Sequence, residues 1–297
     1  MIDNSKSYRA YKVFNYLAIT LMALICFLPI LNVFAISLSD RTATAAGMVA
    51  FWPVNFTTAA YEYVLKDSDF IRATGVSIFR VVIGGLVNLF LTVICAYPLS
   101  KESSSFKART YYVWIFIFAS LFNGGLIPTY MVIRQTGLIN SIFALIIPGA
   151  VPVFNVILVL NFFRGLPKEL EEAALIDGAG HWKILWMVYV PLSKASLATV
   201  TLFTLVGHWN SWFDGMIYIN NIYNQPLATF LQSKVVQSGL DIMMNTTDVD
   251  TLKQMMTISD QSSKGAQIFL GMVPILCVYP FLQKYFAKGV VMGSVKG

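Results

Sequence analysis

The chain has 297 residues, of which 57% are hydrophobic and 12% charged, and its mean hydropathy is +0.66. Soluble globular domains lie near roughly 45–50% apolar and about 25% charged, so the composition argues against an ordinary soluble fold and for a membrane protein. The net charge of +6 comes without a basic block interleaved with aromatics, which argues against a nucleic-acid partner and leaves topology to explain the lysines and arginines.

A bilayer core about 30 Å thick needs roughly 20 apolar helical residues, because backbone groups in lipid must be satisfied within the helix. Six segments qualify: about 13–37, 71–99, 111–133, 142–163, 191–213 and 266–286. The first follows a basic lead, residues 1–12, but its apolar run is longer than the roughly 7–15 residues of a signal-peptide core, so it is read as a retained span. The prediction is an all-α membrane protein of six transmembrane helices. Its transmembrane domain covers 13–290, and a short tail covers 291–297.

An even number of spans places both termini on one side. Thirteen of the 21 lysines and arginines fall on the side of the termini and of the loops after spans two and four; seven fall on the other side, and Arg80 lies inside span two. The positive-inside rule therefore predicts cytoplasmic termini. Outside should lie residues 38–70, a short turn at 134–141 and a long segment at 214–265, with Trp52, Trp209, Trp212 and Tyr218 near the outer boundaries as interfacial anchors.

Much enzyme chemistry is missing. There is no GxxxxGK[ST] nucleotide loop, no HExxH, no GxSxG and no paired-carboxylate pocket, so no catalytic or metal-ligating residues are predicted. Cys26, Cys95 and Cys277 fall in apolar runs without metal-ligand or redox spacing and read as buried small hydrophobes. His181 and His208 are far apart and lack evident partners in the sequence. Ion-coupled carriers place ionisable groups mid-membrane, and Arg80 is the one clear case here, with Asp214 at an outer end. Arg80 either pairs with a neighbouring span, lines a polar pathway, or snorkels to the interface. The spans also carry amides and hydroxyls, among them Asn88, Asn123, Asn155 and Thr204; these serve either as helix glue or, with Trp209 and Asn210, as the wall of a path for a polar solute.

The segment between spans four and five, 164–191, is the most polar part of an oily chain. Pro167 suits a first helical position, and Glu169, Glu171 and Glu172 then fall where carboxylates favour the positive end of the helix dipole. A short helix should run from Pro167 to Ile176 and end at Asp177-Gly178-Ala179-Gly180, since glycine readily adopts the left-handed conformation that ends a helix. An amphipathic piece with Trp182, Leu185, Trp186 and Tyr189 follows, and Pro191 should open the fifth span. On physics alone this is either a solvated connector or something more specific.

Glu172-Ala173-Ala174, then Gly178, then Val188-Tyr189-Val190-Pro191 resembles the EAA motif of bacterial ABC importer permeases, with valines in place of the usual isoleucine and leucine. Trp52-Pro53, Ala96-Tyr97-Pro98-Leu99-Ser100-Lys101, Pro128-Thr129-Tyr130 and the ending Gln283-Lys284-Tyr285-Phe286 through Gly293-Ser294-Val295-Lys296-Gly297 are similar to its carbohydrate branch, the MalG-like permeases. The segment from Asp241 to Lys264 looks most like the LplC-like and YtcP-like group associated with complex oligosaccharides or polysaccharides.

The resemblance implies the type I importer fold in a bacterial cytoplasmic (inner) membrane. It also implies a second homologous permease subunit, two ATP-binding cassette ATPase subunits and an extracellular or periplasmic solute-binding protein. The chain itself binds no cofactor, and ATP and Mg sit on the partner ATPases. Carried over by position, Glu172, Ala173, Ala174, Asp177, Gly178 and Pro191 are the ATPase-coupling residues. Asn245, Asp248, Asp250, Ser259 and Gln261 are candidate binding-protein contacts, and Asn88, Asn123, Asn155, Trp209 and Asn210 are candidates for the sugar path. The alternatives are the same architecture carrying a polyamine, phosphate or lipid-linked substrate, or a membrane receptor that transports nothing.

Overall fold

Apolar runs of this length satisfy their backbone only as helix, and every element is helical among the residues described by the computed structural model, 6–236 and 260–293, with side chains described for 8–234 and 261–280. In chain order these are α1 (Lys6–Ser37), α2 (Arg41–Ala45), α3 (Ala59–Lys66), α4 (Ser68–Ser100), α5 (Arg109–Leu121), α6 (Leu126–Gln135) and α7 (Val153–Arg164). After them come α8 (Lys168–Ile176), α9 (His181–Ile184), α10 (Val190–Leu192), α11 (Lys194–Asn210), α12 (Phe213–Tyr218), α13 (Leu227–Val236) and α14 (Asp260–Gly293). The six expected spans correspond to α1, α4, the α5–α6 pair, α7, α11 and α14.

Two of them differ from the continuous helices expected. The third is broken between α5 and α6, which meet at 114°. Gly125 takes φ +86°, and the Asn123 side-chain oxygen accepts from the Gly125 amide at 2.9 Å, so a turn replaces the helix where Asn123-Gly124-Gly125 removes the steric case for it. The fourth begins as a single 3-10 turn, Ile142–Leu145, and becomes α-helical only at Val153, after Pro148, Gly149 and Pro152. Two of its non-helical carbonyls are satisfied from α4: the Asn88 amide donates to Gly149 at 2.7 Å and to Ala150 at 2.9 Å.

The chain divides into two units. In the one formed by Met1–Ile71 and Ser233–Met272, α1 is exposed along most of its apolar length, as a lipid-facing helix would be. Near its end, Phe34 packs on Phe269 of α14 with ring centroids 4.7 Å apart. Gly265 lies so close to the backbone of Val33 that a Cβ would meet its carbonyl at 3.3 Å. The other unit, Arg72–Gln232 with Val273–Gly297, holds the larger core. Val93, Ala96, Val156, Val159, Phe163, Ile184 and Val200 bring α4, α7, α9 and α11 together around the polar 164–191 segment. A smaller cluster of Ile133, Leu145, Tyr218 and Ile219 holds the 134–141 turn against α12. Cys26 and Cys277 lie exposed, not buried as expected, and Cys95 is half-buried.

Candidate coupling site

Helix α8 is nine residues long and mostly exposed, Leu170 and Leu175 included, with only two residues turned toward the rest of the fold. Glu169, Glu172, Ala173 and Ile176, spaced at i, i+3, i+4 and i+7, are exposed, with Ile176 at 86%. Glu171 and Ala174 turn inward, and Ala174 packs on the larger core. Pro167 is the residue just before the helix rather than its first turn, a one-residue difference. The C-terminal end is a Schellman motif: the Ala179 amide donates to Ala174 at 2.9 Å and the Gly178 amide to Leu175 at 3.0 Å, with Gly178 at φ +76° and Asp177 exposed beside it.

Pro191 does not open the fifth span. The run from His181 continues through a π-helical turn, Leu185–Tyr189, into α10, which contains Pro191, and α11 starts at Lys194 after a bend of 84°. Proline has no amide hydrogen and its ring crowds the carbonyl four residues earlier, here Met187; a widened turn just before it relieves that conflict.

Glu171 is the centre of an arrangement that spacing did not reveal. Lys101, one residue past the end of α4, donates to Glu171 Oε1 at 2.5 Å and to the Tyr189 hydroxyl at 3.1 Å, while that hydroxyl donates to Glu171 Oε2 at 2.6 Å. The ammonium also sits 4.0 Å from the Tyr97 ring centroid and 4.3 Å from that of Tyr189, two rings packed edge to face at 86°. Burial alone would lift the Glu171 carboxyl, but the hydrogen bonds from Lys101 and Tyr189 hold it below the ordinary glutamate range. Burial draws Lys101 below the ordinary lysine range against the pull of Glu171. Beside this cluster the Leu99 carbonyl accepts from Arg109 Nε at 2.9 Å and from an Arg164 guanidinium nitrogen at 3.2 Å, so two cations close the C-terminal end of α4. Cavities of ≈ 420 and ≈ 560 Å³ flank it, the first lined by Phe106, His181 and Trp182, the second by Arg164, Lys168 and Glu172.

Residues 73–292 match the family model described as "Binding-protein-dependent transport system inner membrane component". The chain belongs to this family. The permease is 42% identical to Protein LplC of Bacillus subtilis (strain 168) over 296 residues, covering 100% of this chain and 98% of that one. It is 35% identical to the polygalacturonan/rhamnogalacturonan transport system permease protein YtcP of the same organism, covering 97% and 99%. Its fold matches a chain in the crystal structure of a bacterial ABC transporter involved in import of the acidic polysaccharide alginate. The TM-score there is 0.87 at 33% identity, with 96% of this chain and 100% of that chain covered. The fold is therefore that of a type I ABC importer permease.

The permease places its other polar candidates in varied settings. Asn88, 3% exposed, serves the broken fourth span and also contacts His208 Nε2 at 2.6 Å. The Asn155 amide donates to Thr204 Oγ1 at 3.1 Å, joining α7 to α11. Asn123 and Asn210 are exposed, while Trp209 is buried beside an apolar cavity of ≈ 170 Å³. Neither histidine lacks a partner, since His181 Nδ1 lies 3.2 Å from the Tyr97 hydroxyl. Arg80, 2% exposed, does not snorkel: it forms an ion pair with Asp214 and donates to the Ser211 carbonyl at 3.0 Å. Asn245, Asp248, Asp250 and Ser259 lie outside the described residues, and Gln261 is exposed in the first turn of α14.

Proposed function

We propose that this permease forms half of the pore of an ATP-driven importer for oligosaccharides or polysaccharide fragments. A second permease subunit completes the pore, an extracellular binding protein supplies the sugar, and two ATPase subunits dock on α8. Both termini lie in the cytoplasm with α8, a placement that the distribution of lysine and arginine supports. Acidic fragments are the first class to test, because relatives over nearly the whole chain include a polygalacturonan/rhamnogalacturonan permease and a chain of an alginate importer.

The observation that carries the docking assignment is the outward stripe of α8. A helix that belonged only to its own fold would not leave Glu172, Ala173 and an 86% exposed Ile176 on one face while Glu171 and Ala174 turn inward. Glu172 supplies the charge for a basic partner group, Ala173 permits close approach, and Asp177 and Gly178 set the bend that presents the helix. Pro191 sets the angle at which the segment re-enters the membrane. ATPase closure would push α8 and rock the spans around a central path, the usual form of alternating access. Asn123 and Asn210 are exposed enough to line that path; Asn88, Asn155 and Trp209 would shape it from behind. The region containing Asn245, Asp248, Asp250, Ser259 and Gln261 is proposed to meet the binding protein.

Glu172→Lys tests the docking. The variant permease should insert and purify normally but recover much less ATPase and lose most uptake. Full ATPase recovery with normal uptake would remove Glu172 from the interface.

A further inference from the structure

We propose that Lys101 and Glu171, closed by the Tyr189 hydroxyl, are positioning residues that form a transmission clamp, making α8, the end of α4 and the entry to α11 move as one body. The inference rests on the reading that α8 is pushed by an ATPase. It concerns the inward face of α8, which that reading leaves without a task.

The clamp differs from an ordinary surface ion pair in three respects. First, its charges are placed by the helices themselves: Lys101 follows the C-terminal end of α4, where a cation is favoured, and Glu171 stands in the first turn of α8, where an anion is favoured. Second, the side chains of Lys101 and Glu171 are 12% and 18% exposed, whereas the neighbouring pair Lys168 and Glu102 is 70% and 62% exposed. An exposed pair of that second kind contributes little and holds no geometry. Third, the ammonium is contacted on both sides. Two perpendicular tyrosine rings box it from one side, and a carboxylate and a hydroxyl take its hydrogens on the other.

The three members come from three elements that a push on α8 must reach. Lys101 directly follows the last residue of α4, a 33-residue helix. Tyr189 closes the π-helical turn from which the chain bends into α11. Glu171, on α8, bonds to both. Without it, α8 would still be joined to the rest by the exposed Lys168–Glu102 pair and by the hydrophobic contact of Ala174, a small side chain that can slide. Coupling is carried by linked rigid elements. Here one carboxylate links a short pushed helix to a long one and to a bend.

Hydrogen–deuterium exchange on the purified importer, with and without vanadate-trapped ATP, reads the clamp directly. In the wild type, nucleotide should change exchange in α8, at the 97–101 end of α4 and at the start of α11. In Lys101→Met and Glu171→Gln the ATPase should still co-purify and α8 should still respond, while the response in α4 and α11 falls by on the order of fivefold, the lower end of typical coupling between sites. Tyr189→Phe removes one hydroxyl and should give an intermediate loss; it also guards against a variant that fails to fold. A merely structural role predicts something else, namely altered exchange without nucleotide and an unchanged nucleotide response. That result, or a wild type in which α4 and α11 never respond, overturns the clamp. If no ATPase accompanies the wild type, both the clamp and the docking reading fall; if ATPase binds and α8 alone responds, only the clamp does.

Discussion

Two adjacent glutamates meet opposite surroundings because a helix turns about 100° per residue: Glu172 faces out, and Glu171 faces in to Lys101 and Tyr189. The same care with single charges governs Arg80. A buried guanidinium is tolerated only when its partner is present, and Asp214 is that partner. Arg80→Met should therefore lower thermal stability in detergent by roughly 3 kcal/mol, toward the low end for buried pairs because the Asp214 side chain is 25% exposed. Arg80→Met with Asp214→Leu should recover most of the loss, since it leaves no unpaired charge. A double variant no better than the single one would show that the cost is packing rather than charge.

At the scale of the element, the bend after α8 depends on Gly178 at φ +76°. No atom would crowd a Cβ there, so a substitution is opposed by backbone conformation and not by space. Gly178→Val should cost about 1–2 kcal/mol of local strain and impair uptake, whereas Gly178→Asn, whose side chain tolerates the left-handed region, should stay near the wild type. Equal uptake by both would make the conformation incidental. This helix was legible in the sequence because its acids, its glycine and its proline obey local rules. The breaks in spans three and four carried local signals too, Asn123-Gly124-Gly125 and Pro148-Gly149 with Pro152, but hydropathy averages over them and returned unbroken spans. Lys101 with Glu171, Arg80 with Asp214 and Asn88 with the carbonyls of Gly149 and Ala150 are separated by 61 or more residues. Such pairs exist only after the helices have packed, and no periodicity announces them. Pro191 was misplaced for a related reason: its rule concerns helix starts, while here a π-helical turn accommodates it within a helical run.

At the scale of the molecule, the proposed docking of an ATPase would explain why a chain of this family with no nucleotide loop keeps a polar helix between two apolar spans. In the function proposed above, the permease does not supply the energy, and α8 is the surface through which the energy would reach it. Placing a photo-crosslinking amino acid at each of two adjacent positions tests this most directly, because Ala173 is exposed and Ala174 packs on the core. Irradiation of intact cells should give an adduct between the permease and an ATP-binding subunit from position 173 and none from position 174. Adducts of equal yield from both positions, or no ATPase adduct from position 173, would contradict the account.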